Sequence, residues 1–138
     1  MRKVRDVMSA APVCMPPGES ASAAARAMKR HGTGTVLVLT DGRLSGLVTD
    51  RDITVRVLAE NRDPRITRIG DICSSELVVL DPDDDLAQAA RLVRDRAVRR
   101  MPVLRDGIPV GVVSTGDLAL EKDATAVLSG VSSAPPDA

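Results

Sequence analysis

The residues of this chain that could do chemistry fall in two short runs of one design. Gly46-Leu47-Val48-Thr49-Asp50-Arg51-Asp52 and Gly111-Val112-Val113-Ser114-Thr115-Gly116-Asp117 each set a hydroxyl three residues before a carboxylate, behind a glycine and an apolar pair. Such a run reads as the end of a strand, with the hydroxyl residue as the N-cap of a following helix. Unpaired N–H groups of a first helical turn and the positive end of its dipole favour a phosphate. The Asp would accept hydrogen bonds from a vicinal diol such as ribose, and Arg51 would meet a phosphate through charge-assisted hydrogen bonds. The same spacing also fits a capping box, in which hydroxyl and carboxylate satisfy helix N–H groups and nothing more. Capping boxes ordinarily end in Glu, and Asp is short for the reach back, which favours a ligand; both readings stand on the residues alone.

Other reactive side chains are scattered. His31 is the sole histidine and sits beside Gly32 at the expected end of a helix, where the dipole favours it, so no Ser-His-Asp triad and no zinc set is assembled. Cys14 and Cys73 lack metal-ligand spacing; Cys14 reads as a small hydrophobe or a surface thiol, and Cys73 as a pocket or core residue. Asp83-Asp84-Asp85 is the one carboxylate run, read as charge in a helix's first turn and not as a magnesium site. The expectation is a protein without catalysis, without bound metal and without a covalent cofactor.

Composition narrows the class of ligand. In 138 residues, 19 Lys+Arg balance 19 Asp+Glu, so no overall field gathers nucleic acid or an anionic membrane. There is no Phe, Tyr or Trp, which removes the stacking platforms used by single-strand binders and leaves any purine to aliphatic and backbone contacts. No apolar run approaches the roughly 20 residues of a membrane span, and no signal-peptide pattern follows Met1-Arg2-Lys3, so the expected location is the cytoplasm.

The elements that must position these corners come in duplicate. Sliding the sequence by 65 residues gives fourteen identities between positions 4 and 58 without a gap, among them Val13/Val78, Ala24/Ala89, Asp41/Asp106, Gly42/Gly107, Gly46/Gly111 and Asp52/Asp117. Units of about 60 residues are marginal alone, so the two are expected to pack together around a shared core. Each unit reads as strand, helix, strand, strand, helix. Val13 to Met15 and Val78 to Leu80 open the units. The helices follow from about Ala21 to Met28 and from Pro82 to Val98, the latter with Asp81 as N-cap and Leu86, Ala89, Ala90, Val93 and Ala97 on its buried face. Hairpins turn at Asp41-Gly42 and Asp106-Gly107. Closing helices run from about Arg51 to Ala59 and Asp117 to Leu128. The predicted divisions are 1–62 and 66–128, with a frayed tail at 129–138.

This order, with Gly-apolar-apolar-Thr/Ser-x-x-Asp at both strand-to-helix corners and Met101-Pro102-Val103-Leu104 ahead of Asp106-Gly107, resembles the cystathionine-β-synthase (CBS) domain, present as a tandem pair. The layout is similar to stand-alone bacterial CBS pairs. The first repeat departs at Leu37, where the family has proline. In one such relative an early cysteine is bridged to one near the C-terminus; this tail has no cysteine, so no bridge is carried over.

The resemblance implies an α/β (α+β) fold of two repeats related by a pseudo-two-fold axis, and a non-catalytic regulatory role. It implies an adenosine-containing ligand (AMP, ADP, ATP or a related compound) in clefts between the repeats, a homodimer, and output through a separate effector protein. One site would combine Ser114, Asp117 and Arg100 with Met8, Val13 and Thr33; its mate would combine Thr49, Arg51 and Asp52 with Cys73, Val78 and Val98. Arg51 corresponds to Gly116 and Arg100 to Thr35, so the two sites would meet phosphate from different directions. A ligand-free dimerisation module with the same fold is the alternative.

Overall fold

The structure, a computed structural model, describes residues 2–96 and 98–119. The strands are β1 (Ser9–Ala10), β2 (Cys14–Met15), β3 (Thr35–Thr40), β4 (Arg43–Thr49), β5 (Arg100–Arg105) and β6 (Ile108–Ser114). The helices are α1 (Ala21–His31), α2 (Asp50–Ile53), α3 (Ile69–Ile72), α4 (Leu86–Arg96) and α5 (Thr115–Ala119). The short turns Val4–Asp6 and α3 occupy matching places in the two repeats and were not foreseen.

These elements form two compact units whose borders differ from those of the sequence repeats. One unit is Pro12–Leu77; the other joins the chain up to Ala11 with the chain from Val78 onward. Each hairpin is therefore completed by the leading segment of the other repeat. In the first unit β2 runs parallel to β3, β3 runs antiparallel to β4, and Ser74 bridges to Leu47 on the far side of β4. In the second, Leu80 lies parallel to Val103 of β5, β5 pairs antiparallel with β6, and β1 adds Ser9↔Val112 and Ala10↔Gly111.

Local chemistry explains most boundaries. Ser20 caps α1 by accepting from the Ala23 N–H at 3.0 Å, and Gly32 ends the helix at φ 64°, a left-handed conformation in which glycine carries no Cβ penalty. Both hairpin turns have two successive positive φ values, Asp41 and Gly42 at 51° and 79°, Asp106 and Gly107 at 52° and 80°. That is the type I′ geometry expected of Asp-Gly, whose twist suits the flanking strands.

The second helix starts later than its sequence suggests. Asp81 to Asp84 close a turn of their own: the Asp81 N–H donates to the Asp84 carboxylate at 2.8 Å, and the Asp83 N–H donates to that of Asp81 at 2.8 Å. Asp85, the counterpart of Ser20, accepts from the Ala87 N–H at 2.9 Å, and α4 begins at Leu86 with no acid in its first turn. Asp83 instead pairs with Arg5 and Arg105. The first closing helix also departs from regularity, because α2 continues as a π-helical stretch over Thr54–Leu58. Ala97, the course of the second closing helix beyond Ala119 and the tail at 129–138 lie outside the described residues.

Each unit has its own aliphatic core. Ala21, Ala24, Val36, Val38, Val48, Val57, Ile69 and Ile72 fill the first. Val4, Leu80, Leu86, Ala90, Val93, Met101, Val103 and Val113 fill the second. Full burial of a Val, Leu, Ile or Met stabilises by about 1.5–3 kcal/mol, so a core without aromatics is workable when this many aliphatic side chains are sealed. Among the described residues no helix is long and apolar enough to cross a membrane.

Candidate functional site

The two corners stand at the ends of β4 and β6. Antiparallel pairing sets Thr35 opposite Thr49 and Arg100 opposite Ser114, so each hydroxyl residue faces the start of the preceding strand. The backbone crosses over at the same point in both: the Asp50 N–H donates to the Gly34 carbonyl at 3.0 Å, and the Thr115 N–H to the Arg99 carbonyl at 2.9 Å. Thr49 and Ser114 thus hold the N-cap positions predicted for them.

Both capping boxes are complete. The Thr49 N–H donates to Asp52 Oδ2 at 2.9 Å and the Asp52 N–H to Thr49 Oγ1 at 3.1 Å. The Ser114 N–H donates to Asp117 Oδ2 at 2.9 Å and the Asp117 N–H to Ser114 Oγ at 3.1 Å. Asp is therefore long enough, because the extended backbone at Thr49 (φ −113°, ψ 164°) brings its N–H towards the first turn. Side-chain length, expected to favour a ligand over plain capping, does not separate the two.

The expected supply of unpaired first-turn N–H groups is corrected as well. In the first corner Asp50 N–H goes to Gly34, Arg51 N–H to the Asp50 carboxylate at 2.9 Å, and Asp52 N–H to Thr49. In the second corner the Gly116 N–H alone among these three makes no bond to a described residue. Any anion must then be met chiefly by side chains: Arg51, an exposed residue at the first corner, or Arg100 across the ladder at the second.

What each box leaves over is one carboxylate oxygen. Asp52 Oδ1 lies 3.9 Å from Arg56 Nε, and the Asp52 side chain is 14% exposed. Asp117 Oδ1 makes no hydrogen bond to a described residue. A carboxylate fixed by its other oxygen, with a second oxygen turned to a partner, is a preorganised acceptor for a hydroxyl pair.

The glycines that open the two motifs have a packing explanation. A Cβ on Gly46 would sit 2.6 Å from Cys73 Sγ, and one on Gly111 would sit 2.6 Å from Met8 Sδ and 2.9 Å from the Ser9 carbonyl oxygen. Cys73 and Met8 therefore lie over β4 and β6 at equivalent points. Burial pushes the Cys73 thiol pKa up, and the negative charge of Asp52 adds to the rise while Arg56 opposes it, which puts the sulfur in the electrostatic reach of the first corner.

The first unit thus holds Thr49, Arg51, Asp52, Cys73, Val13 and Thr33, and the second holds Ser114, Asp117, Arg100, Met8, Val78 and Val98. Val13 and Cys73 pack against the first core, and Met8, Val78 and Val98 against the second. Thr33 Oγ1 accepts from the Thr35 N–H at 3.2 Å, beside the crossover at Gly34. Arg56 was not anticipated; its spacing of four from Asp52 was the available signal.

Among the described residues no group of three or more His, Cys, Asp or Glu side chains could hold a metal ion. Both cysteines are unbridged thiols. His31 ends α1 behind Lys29 and Arg30, a basic last turn that complements the helix dipole.

A duplicated α+β unit with a capped hydroxyl–carboxylate corner in each copy defines a tandem-repeat module. The chain belongs to the CBS-domain family, whose model matches it twice, over residues 4–59 and 69–122, and CBS domains are generally non-catalytic. It is 35% identical over 122 residues to the CBS domain-containing protein YhcV of Bacillus subtilis, covering 88% of this chain and 86% of that one. It is 32% identical over 120 residues to hypoxic response protein 1 of Mycobacterium tuberculosis, covering 86% and 84%. A crystal structure of hypoxic response protein I with two coordinated zinc ions matches with a TM-score of 0.71 at 31% identity, over 87% of this chain and 98% of that one. A CBS domain pair in complex with 5′-methylthioadenosine and S-adenosyl-L-methionine matches in fold, with a TM-score of 0.76 at 23% identity, over 86% and 94%.

Proposed function

We propose that this CBS pair binds an adenosine-containing small molecule, AMP, ADP, ATP or a related compound, and passes its occupancy to a separate effector protein, with a homodimer as the working form. The observation that carries this reading is the repeated corner itself. Two carboxylates at matching positions, Asp52 and Asp117, are each locked through Oδ2 to a backbone N–H, leaving Oδ1 to meet a ribose diol. Arg51 at one corner and Arg100 at the other supply the cations for phosphate, and the chain offers a purine only aliphatic and backbone surfaces. A solved pair of the same fold holds two adenosine compounds, which supports the ligand class. A regulatory output requires only that the ligand bind two conformations with different affinity.

Calorimetric titration of adenosine, AMP and ATP into the wild type and into Asp52→Ala, Asp117→Ala and the double variant tests this. Loss of each box costs about 1 kcal/mol of stability in any case. A binding role predicts in addition that affinity collapses in the double variant while the protein stays folded. Heats of dilution alone from the wild type with every adenine compound would leave the dimerisation module as the better account.

A further inference from the structure

Arg56 meets both the first corner and the segment that leads out of its unit. Its Nη1 donates to the Ile72 carbonyl at 2.9 Å, the final residue of α3, and its Nε lies 3.9 Å from Asp52 Oδ1. The π-helical stretch Thr54–Leu58 carries it, and such irregular turns occur preferentially at functional sites. It also borders a shallow groove with Val55, Glu60, Arg62, Asp71 and Ile72. Beyond Ile72 the chain crosses β4, where Ser74 and Leu47 exchange N–H···O bonds of 3.0 Å in both directions, and Cys73 lies over Gly46. In the other repeat the position of Arg56 is taken by Glu121, which has no proton to offer a carbonyl when ionised.

We propose that Arg56 is a positioning residue that couples the Thr49–Asp52 corner to residues 72–77. Resting on the reading that Asp52 Oδ1 receives a diol, the coupling works through a shared guanidinium. A diol that hydrogen-bonds Oδ1 orders that carboxylate beside Nε, which steadies the guanidinium and with it the Nη1 bond to the Ile72 carbonyl, so ligand binding tightens the segment that follows. Without Arg56, Asp52 keeps its cap but its outer oxygen loses its guide, and residues 72–77 lose an anchor. With glutamate at the matching position of the other repeat, the two repeats are expected to respond differently to the same molecule.

Amide hydrogen exchange of the full chain tests this, with Arg56→Gln and Arg56→Lys beside the wild type, each with and without adenosine. In the ligand-free state Arg56→Gln is expected to exchange about three- to tenfold faster at Cys73 and Ser74, with Val36 to Val38 unchanged, because one hydrogen bond to a charged donor is lost. Arg56→Lys keeps the charge but cannot fork to both acceptors, and should fall between. Adenosine should slow exchange at 73–77 in the wild type and not in Arg56→Gln, with affinity reduced about tenfold. Unchanged ligand-free exchange at 73–77 in Arg56→Gln overturns the anchoring role, as does equal ligand protection in wild type and variant. If adenosine compounds leave the wild type untouched, the corner reading fails, and the ligand-free comparison still decides for or against the anchor.

Discussion

Substituting alanine for the first glycine of each motif separates packing from ligand chemistry. Neither Gly46 nor Gly111 has a positive φ, so alanine fits the backbone and removes chain entropy from the unfolded state, a gain of about 0.4–1 kcal/mol. Against this stands the clash. At Gly46 the nearest atom is the tip of Cys73 at 2.6 Å, with Cys73 Cβ and the Ser74 carbonyl oxygen behind it at 3.1 and 3.2 Å. A rotation of the thiol relieves most of that. At Gly111 the Met8 sulfur at 2.6 Å can also move, but the Ser9 carbonyl oxygen at 2.9 Å belongs to β1, paired with β6 at this point. Relief there requires the strand to shift. Overpacking of this kind costs about 1–3 kcal/mol. The net expectation is a loss under about 1 kcal/mol for Gly46→Ala and about 2 kcal/mol for Gly111→Ala. At roughly 3–4 °C per kcal/mol for a chain of this size, Gly111→Ala melts about 6–8 °C lower. Gly18→Ala is the control: nothing lies within 4 Å of its Cβ position, and it should be neutral or slightly stabilising. Calorimetric melts and urea titrations of these three, with Gly46→Ala/Cys73→Ala and Gly111→Ala/Met8→Ala, complete the set. Removing the sulfur should rescue Gly46→Ala almost fully and Gly111→Ala only in part. A Gly111→Ala protein as stable as wild type, or full rescue by Met8→Ala, would refute the claim that β1 is pressed against that glycine.

Three further expectations follow from the electrostatics. Asp83 is shared by Arg5 and Arg105 in the second unit, whereas glycines stand at positions 18 and 70 of the first; Asp83→Ala should cost about 0.5–1 kcal/mol at low salt and much less at 1 M NaCl, read from urea midpoints. The Arg65 side chain and N–H hold the Asp63 carboxyl below the ordinary carboxylate range. A depressed acid contributes stability above its unfolded pKa of about 4 and loses it as pH falls through the lowered folded value, so Asp63→Asn should flatten the acid limb of the stability profile below about pH 4. Burial raises both thiols, so each should react with a disulfide reagent more slowly at pH 7 than free cysteine, and Asp52→Asn should speed the reaction of Cys73 specifically.

Much of this molecule is legible in its amino-acid sequence. The 65-residue repeat, the Asp-Gly hairpins, the span of α1 to Gly32 and the N-cap roles of Thr49 and Ser114 follow from short-range rules, and short-range rules held there. The attachment of each leading segment to the other repeat's hairpin does not follow from them, because it runs through two-residue or single-residue pairings such as Ala10↔Gly111 and Leu47↔Ser74 that carry no periodic signature. α4 starts later than its sequence pattern indicates because Asp81 to Asp84 spend their side chains on a local turn, an alternative that aspartate offers the backbone. At the corners the residue types were right and the availability of their groups was not: whether an N–H is free depends on contacts such as Asp50 to Gly34, made between chain segments that spacing alone does not connect. The role of Arg56 is not legible in the sequence for the same reason, since the carbonyl it binds is sixteen residues away.

The optical blankness of the chain makes the central claim directly measurable. With no Phe, Tyr or Trp the protein absorbs almost nothing between 260 and 280 nm, so equilibrium dialysis against AMP, ATP or adenosine counts bound ligand by absorbance alone. The account predicts excess absorbance at 260 nm on the protein side, saturating at no more than one ligand per corner, reduced by Asp52→Ala or Asp117→Ala singly and abolished by both. Equal absorbance on the two sides of the membrane for every adenine compound, up to millimolar concentration, would contradict it.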